Sequence, residues 1–202
     1  MTLTSIIGQP SVNRLRSYAA NPERGSRCFL LDGPPGTGKT SSAYALAEML
    51  GVTDNAPLLV EDVSSNLSVD RVEELFFRTF RLSFPWKCWI IDELDSLPSK
   101  QAEKELKSAL DEKKMPSRLT VIATTNDAKN LPPAILNRFT LLPYPGDATF
   151  ARAARTYLAT QWALQANGKP LPSTWIRWGD IGESFSMRSA LQALRDHLED
   201  AS

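Results

Sequence analysis

The segment GPPGTGKT, Gly33 to Thr40, narrows the choice of fold more than any other part of this sequence. It follows the apolar run RCFLLD and leads at once into a helical pattern from Thr40 to Leu50. Ala43, Leu46, Ala47 and Leu50 share one face of that helix, and Gly51 ends it. Five glycines and prolines between a strand and a helix are poor building material, so the chain there needs bare backbone. The segment fits G-x-x-x-x-G-K-[ST] with Gly33, Gly38, Lys39 and Thr40 at the fixed positions, in the strand-to-helix context the pattern requires. Glycines let successive N–H groups point inward around an anion, and the helix behind adds its positive end. The candidate nucleotide-binding residues are therefore Gly33, Pro34, Pro35, Gly36, Thr37, Gly38, Lys39, Thr40 and Ser41. Lys39 is suited to the β- and γ-phosphates and Thr40 to Mg²⁺. A tight strand-to-helix turn is the plainer explanation, but base composition puts a chance match to the pattern below roughly one in fifty.

Apolar periodicity elsewhere alternates between strand-like runs and helices. The strand candidates are RCFLLD, PLLVEDV, KCWIID, LTVIATT and FTLLPYP. Between them lie helical patterns in VNRLRSYAAN, entered at Pro10 or Ser11, in SVDRVEELFFRTF, capped by Ser68, and from Ser99 to Leu110. Strand runs this apolar, separated by helices, predict an α/β fold whose parallel sheet is covered on both faces. Pro143, Pro145 and Gly146 mark a boundary. Residues 1–145 then form an α/β core and residues 146–202 a small all-helical unit. That unit has a long helix starting at Asp147 with Phe150, Ala154, Tyr157 and Leu158, a segment around PSTWIRW, and a last helix capped by Ser186.

The chain's 202 residues, 42% hydrophobic and 23% charged, suit one such domain with an appendage. Lys+Arg and Asp+Glu balance at 23 each, so any nucleic-acid contact has to come from local charge placement. Cys28 and Cys88 sit in apolar runs and are expected as buried reduced thiols of a cytoplasmic protein. The single histidine, His197, makes no metal cluster alone and reads as a solvated helix residue. No apolar run reaches membrane-spanning length, and MTLTSIIGQP lacks the regions of a signal peptide.

A phosphate loop calls for acids at the end of a buried strand, and CWIIDE supplies them. Asp92 is suited to orient Mg²⁺ through its water shell, and Glu93 to polarise an attacking water. ATTN places Asn126 at another strand end, where its amide can reach a γ-phosphate or that water. Arg138 in ILNRF and Arg188 in SFSMRSAL are uninformative alone, since surface arginines are common.

Taken in order, these pieces resemble the AAA+ ATPase family, and most closely its clamp-loader clade, the small subunits of replication factor C. IIGQPSVNRL resembles the entry motif whose backbone flanks the adenine, which implicates Ile7. GPPGTGKT and IIDELDSL resemble the two nucleotide motifs, and ATTN resembles sensor 1. AILNRF is similar to the clamp-loader segment ending in Ser-Arg-Cys, with Asn137-Arg138-Phe139 in its place. This implies that Arg138 is an arginine finger acting in trans. FSMRSALQAL is similar to the lid segment Gly-Asp-Met-Arg, which implies that Met187 meets the nucleotide and Arg188 is sensor 2. Asp-Glu-Leu-Asp, Asp92 to Asp95, replaces the family's Asp-Glu-Ala-Asp. The resemblance covers about residues 3 to 200. It implies a five-stranded parallel sheet, a helical lid, hydrolysis of ATP at subunit interfaces, and a homo- or hetero-oligomer. Clamp-loader subunits carry a further C-terminal collar. Without it, assembly is expected to depend on ATP or a partner more than in a collared ring.

Two clients compete, DNA or a DNA-replication complex on one side and a protein on the other. Threading members of the family carry an aromatic-apolar-Gly loop after the second strand, and EDVSSNLSVD has neither aromatic nor Gly there. Lys100, Lys104 and Lys107 fall at i, i+4 and i+7 of one helix, a stripe able to track a DNA backbone. A solvated face with Glu103 and Glu105 interleaved explains them equally well. Phe76, Phe77 and Phe80 read as core rather than as base-stacking platforms. Trp162, Trp175 and Trp178 read first as lid core and second as a docking surface.

Overall fold

In a computed structural model the described residues are 3–52, 58–62, 70, 74, 86–96, 100–111, 113–166, 169–170 and 186–199. The strands are β1 (Cys28–Asp32), β2 (Leu58–Asp62), β3 (Lys87–Asp92), β4 (Leu119–Thr125) and β5 (Thr140–Pro143). They pair in parallel in the order β2-β3-β4-β1-β5. The helices are α1 (Val12–Ala20), α2 (Lys39–Met49), α3 (Lys100–Ala109), α4 (Pro133–Leu136), α5 (Ala148–Gln165) and α6 (Met187–Glu199). The proposed Ser68 cap, Ser99, the aromatics Phe76, Phe77 and Phe80, and Trp175 and Trp178 lie outside the described residues.

Period-two alternation sorts the strand side chains onto two faces. Cys28, Leu30, Trp89, Ile91, Val121 and Ala123 face one way and pack with Leu106, Ala109 and Ile135 of α3 and α4. Phe29, Leu31, Ile90, Ile122 and Leu142 face the other and pack with Leu15, Ala43 and Leu46 of α1 and α2. Leu30, Leu31, Ile90 and Ile122 are fully buried, each worth about 1.5–3 kcal/mol of transfer free energy. Burying both faces is why the strands read as continuous apolar runs. Burial also pushes the Cys88 thiol up to about 12, so it stays a neutral packing group.

α5 and α6 form a third cluster, in which Phe150, Ala154, Leu158 and Trp162 pack on Ala190 and Leu194. Asp147 sits in extended backbone and accepts the Phe150 N–H at 2.9 Å, which sets the start of α5. Ser186 precedes α6 and receives the Ser189 and Ala190 N–H groups on its hydroxyl and carbonyl at 3.4 and 3.0 Å. Trp162 belongs to this cluster, its indole donating to Lys169 O at 2.9 Å.

α1 is entered at Ser11, as expected, without a side-chain cap. The Ser11 backbone is already helical, and its hydroxyl donates to Pro143 O at 2.7 Å, stitching α1 to the end of β5. His197 is half-buried rather than solvated, because α6 turns part of its surface toward α5.

Candidate nucleotide site

Parallel strands bring their carboxyl ends together at one edge of the sheet, where α/β folds place their ligands. Here the register levels Asp32 with Thr125 and with Pro143, and Ile91 with Ala123, which puts Asp92 beside Thr124. A 360 Å³ cavity opens at that edge. Its wall includes the stretch from Pro35 to Ser41, Asp92, Glu93 and Asn126 from the strand ends, Ile7 from the N-terminal segment, and Met187 and Arg188 from α6.

The loop is held by contacts only glycine tolerates. Gly36 has φ 76°, and a Cβ there would overlap the Ser186 hydroxyl. Its carbonyl accepts the Met187 N–H at 3.0 Å, so the start of α6 rests directly on the loop. A Cβ on Gly33 would overlap the carbonyl of Tyr144. Gly33 and Pro34 are not part of the cavity wall. Their carbonyls accept from Lys39 Nζ at 2.5 and 2.9 Å, and Asn126 Oδ1 accepts from it at 3.2 Å. Lys39 is 7% exposed. Burial lowers the pKa of its ammonium, and the carboxylates of Asp92, Asp95 and Asp32 oppose that shift. The Arg188 cation adds to the lowering. Two cations that repel each other across a cavity favour a polyanion between them.

The acid side is equally specific. Thr40 Oγ1 donates to Asp92 Oδ1 at 3.0 Å and lies 3.2 Å from Oδ2. Thr124 Oγ1 donates to the same Oδ1 at 2.5 Å. Glu93 is exposed and has φ 54°, a left-handed conformation that costs a non-glycine residue on the order of 1–3 kcal/mol. Its N–H donates to Thr124 Oγ1 at 3.1 Å, and its carbonyl accepts the Ser96 N–H at 2.9 Å. The Asn126 N–H lies 3.4 Å from Asp95 Oδ2.

Arg138 stands apart, since it does not line the cavity. Its Nε donates to Lys107 O at 3.0 Å and its Nη1 to Ala134 O at 2.6 Å, tying the end of α4 to α3. Lys100, Lys104 and Lys107 are exposed on α3, opposite its buried Ala102, Leu106 and Ala109.

Sequence reasoning passed over several residues here. Thr124 is one, and its signal was a polar side chain in a fully buried strand beside the acid strand. Gln9 is another. It is 6% exposed, and its amide donates to Thr37 O at 3.1 Å and Pro145 O at 3.2 Å, linking the N-terminal segment, the loop and the start of the helical unit. Phe150, Tyr157 and Leu191 also line the cavity. Their helical spacing marked them only as core.

Comparison with known proteins gives the family. The chain is 32% identical to replication factor C subunit 3 of Saccharomyces cerevisiae over 149 residues, 70% of this chain and 43% of that protein. It is 27% identical to a replication factor C small subunit of Thermofilum pendens, over 96% of this chain and 60% of that one. The chain thus spans about half the length of these relatives. A solved structure of katanin superposes with a TM-score of 0.70 at 23% identity, over 99% of this chain and 71% of that one, and shares the fold. Residues 29–144, more than half of the chain, match the family model described as ATPase family associated with various cellular activities (AAA). With more than half of its length matching that model, the chain belongs to the AAA ATPase family.

Proposed function

We propose that the chain is an ATP-hydrolysing switch that turns nucleotide state into movement of its helical lid and of a neighbouring subunit, acting on DNA in the manner of a clamp loader. The observation that carries the ATPase reading is the convergence of Lys39, Thr40, Asp92, Glu93, Asn126 and Arg188 on one cavity. Residues 1–145 form the nucleotide core and residues 146–202 the lid. ATP phosphates rest on the loop from Gly33 to Thr40, with Lys39 against the β- and γ-phosphates. Ile7 and Met187 flank the nucleotide from the N-terminal segment and the lid.

The Thr40 hydroxyl and the Asp92 carboxylate present hard oxygen donors side by side, the set that suits Mg²⁺ held by one or two protein oxygens, waters and phosphates. When bound, Mg²⁺ neutralises charge developing on the phosphates. Glu93 polarises the attacking water, and Asn126 orients it. Water forms a bond to the γ-phosphorus, the bond to the bridging oxygen breaks, and ADP and phosphate leave. Arg188 answers the γ-phosphate from the lid, and Arg138 answers a neighbour's. The test begins with Lys39→Ala. Truncating a buried, hydrogen-bonded charge partner costs about 30-fold to several thousand-fold in affinity, so calorimetry should show ATP binding nearly lost while the melting temperature of the free protein stays close to wild type. Unchanged ATP affinity would remove the loop from the argument.

For DNA, the supporting observation is the exposed row Lys100, Lys104 and Lys107 on a helix anchored by its other face. The chain is neutral overall, so little general attraction masks these contacts. Affinity should fall steeply with salt, with a log–log slope of roughly −0.7 to −0.9 per phosphate neutralised for single and double strands respectively. Binding should be tolerant of sequence, because phosphate contacts position without specifying. Changing all three lysines to Glu should abolish DNA binding and leave ATP affinity alone. Unaltered DNA affinity in that variant, or none in the wild type with ATP at low salt, would favour the second reading. That reading is a remodeller or switch acting on a protein client, as a partner of a replication or other assembly.

A further inference from the structure

Between the two acids and the Asn126 strand lies a side chain that the nucleotide reading leaves without a task. Thr124 is 2% exposed, and its hydroxyl makes two hydrogen bonds. A backbone N–H only donates, so the hydroxyl must accept from Glu93 N at 3.1 Å. Its single proton is then committed to the Asp92 carboxylate, at 2.5 Å. The order is fixed: Glu93 N–H to Thr124 O–H to Asp92 Oδ1. Bonds in such a chain polarise one another in the same direction. The two ends matter for different reasons. Asp92 takes hydroxyl donors from Thr40 and Thr124, which fixes the plane of its carboxylate. Glu93 holds φ 54°, a conformation that survives in a non-glycine residue only when the surroundings over-determine it. Thr124 and the Ser96 turn are what determine it.

We propose that Thr124 is a positioning residue for the acid pair, its one hydroxyl setting both the aim of the Asp92 carboxylate and the backbone turn that presents Glu93 to the cavity. This rests on the reading that Asp92 and Glu93 serve hydrolysis. Thr120, at the far end of the same strand, provides an internal control. It is fully buried, and its hydroxyl shares a hydrogen bond of 2.8 Å with the Tyr18 hydroxyl.

The test compares Thr124→Val, Thr124→Ser and Thr120→Val in the full chain, by steady-state ATPase, by ATP affinity with and without Mg²⁺, and by thermal melting. Valine keeps the branched shape of threonine and removes only the hydrogen bonds. Loss of a hydrogen bond to a charged group should lower kcat by roughly tenfold to a hundredfold. ATP affinity without Mg²⁺ should move less than about threefold, since Lys39 and the loop are untouched. The gain in ATP affinity on adding Mg²⁺ should shrink by a similar tenfold or more. Thr124→Ser should restore both, and Thr120→Val should alter neither. Wild-type kcat and Mg²⁺ gain in Thr124→Val would overturn the proposal. So would an equal loss in Thr124→Ser or in Thr120→Val, which would make the effect one of packing. Glu93→Gln run alongside separates the two levels. If it hydrolyses ATP normally, the acid-pair reading itself fails. If it is inactive while Thr124→Val is normal, only the role of Thr124 fails.

Discussion

Replacing Arg138 by Ala should leave ATP binding intact and slow turnover by about three orders of magnitude or more, the range that an arginine supplied across a boundary contributes to phosphoryl transfer. The reason lies in where this side chain sits. Its guanidinium is held by the carbonyls of Lys107 and Ala134, and it forms no part of its own subunit's cavity wall. On the proposal that Arg138 acts in trans, the phosphate it answers is a neighbour's. Two consequences are measurable. ATPase per wild-type subunit should rise with protein concentration. Mixing Arg138→Ala with Lys39→Ala should also recover part of the activity that each lacks, because an intact arginine then meets an intact loop. A strictly monomeric species with full activity would defeat the assignment.

Glu93→Gln is expected to bind ATP as the wild type does and to lose about 10²- to 10⁴-fold in kcat, the usual contribution of a positioned general base. Glutamine preserves size and the Thr124 contact, because that contact is made by the backbone N–H of residue 93. Only the negative charge proposed to polarise the water is lost. Rapid mixing with labelled ATP should show a long-lived ATP complex. A normal hydrolysis rate would move the base to another residue.

Much of this was legible in the sequence because it rests on period and on backbone need. Two-sided burial leaves continuous apolar strands such as CFLLD and LTVIATT, and these disclosed the parallel sheet. The glycines of the loop disclosed themselves because an overlapping Cβ at Gly33 or Gly36 is an absolute exclusion. Gln9 and Thr124 were hidden for the opposite reason. Each acts through ordinary hydrogen bonds to residues 28 to 136 positions away, and no local pattern records such a partner. The Ser11 hydroxyl is a related case, since it bonds Pro143 O across the fold. The lid's contribution to the cavity wall through Phe150, Tyr157 and Leu191 depends on how two helices lean over the loop, which helical spacing does not encode.

The contact between Gly36 and the start of α6 has a mechanical side. Met187 N is bonded to Gly36 O, and Ser186 fills the space a side chain at residue 36 would occupy, so no slack separates the loop from the helix. α6 has 13 residues, which makes a rod of about 20 Å at 1.5 Å per residue. The fulcrum is at one end of that rod. A tilt of about 10° there swings the far end of a rod of that length by about 3 Å. If α6 moves with nucleotide state as proposed, a small tilt at the loop becomes, at its far end, a step the size of a side-chain contact, with the glycine as the bearing.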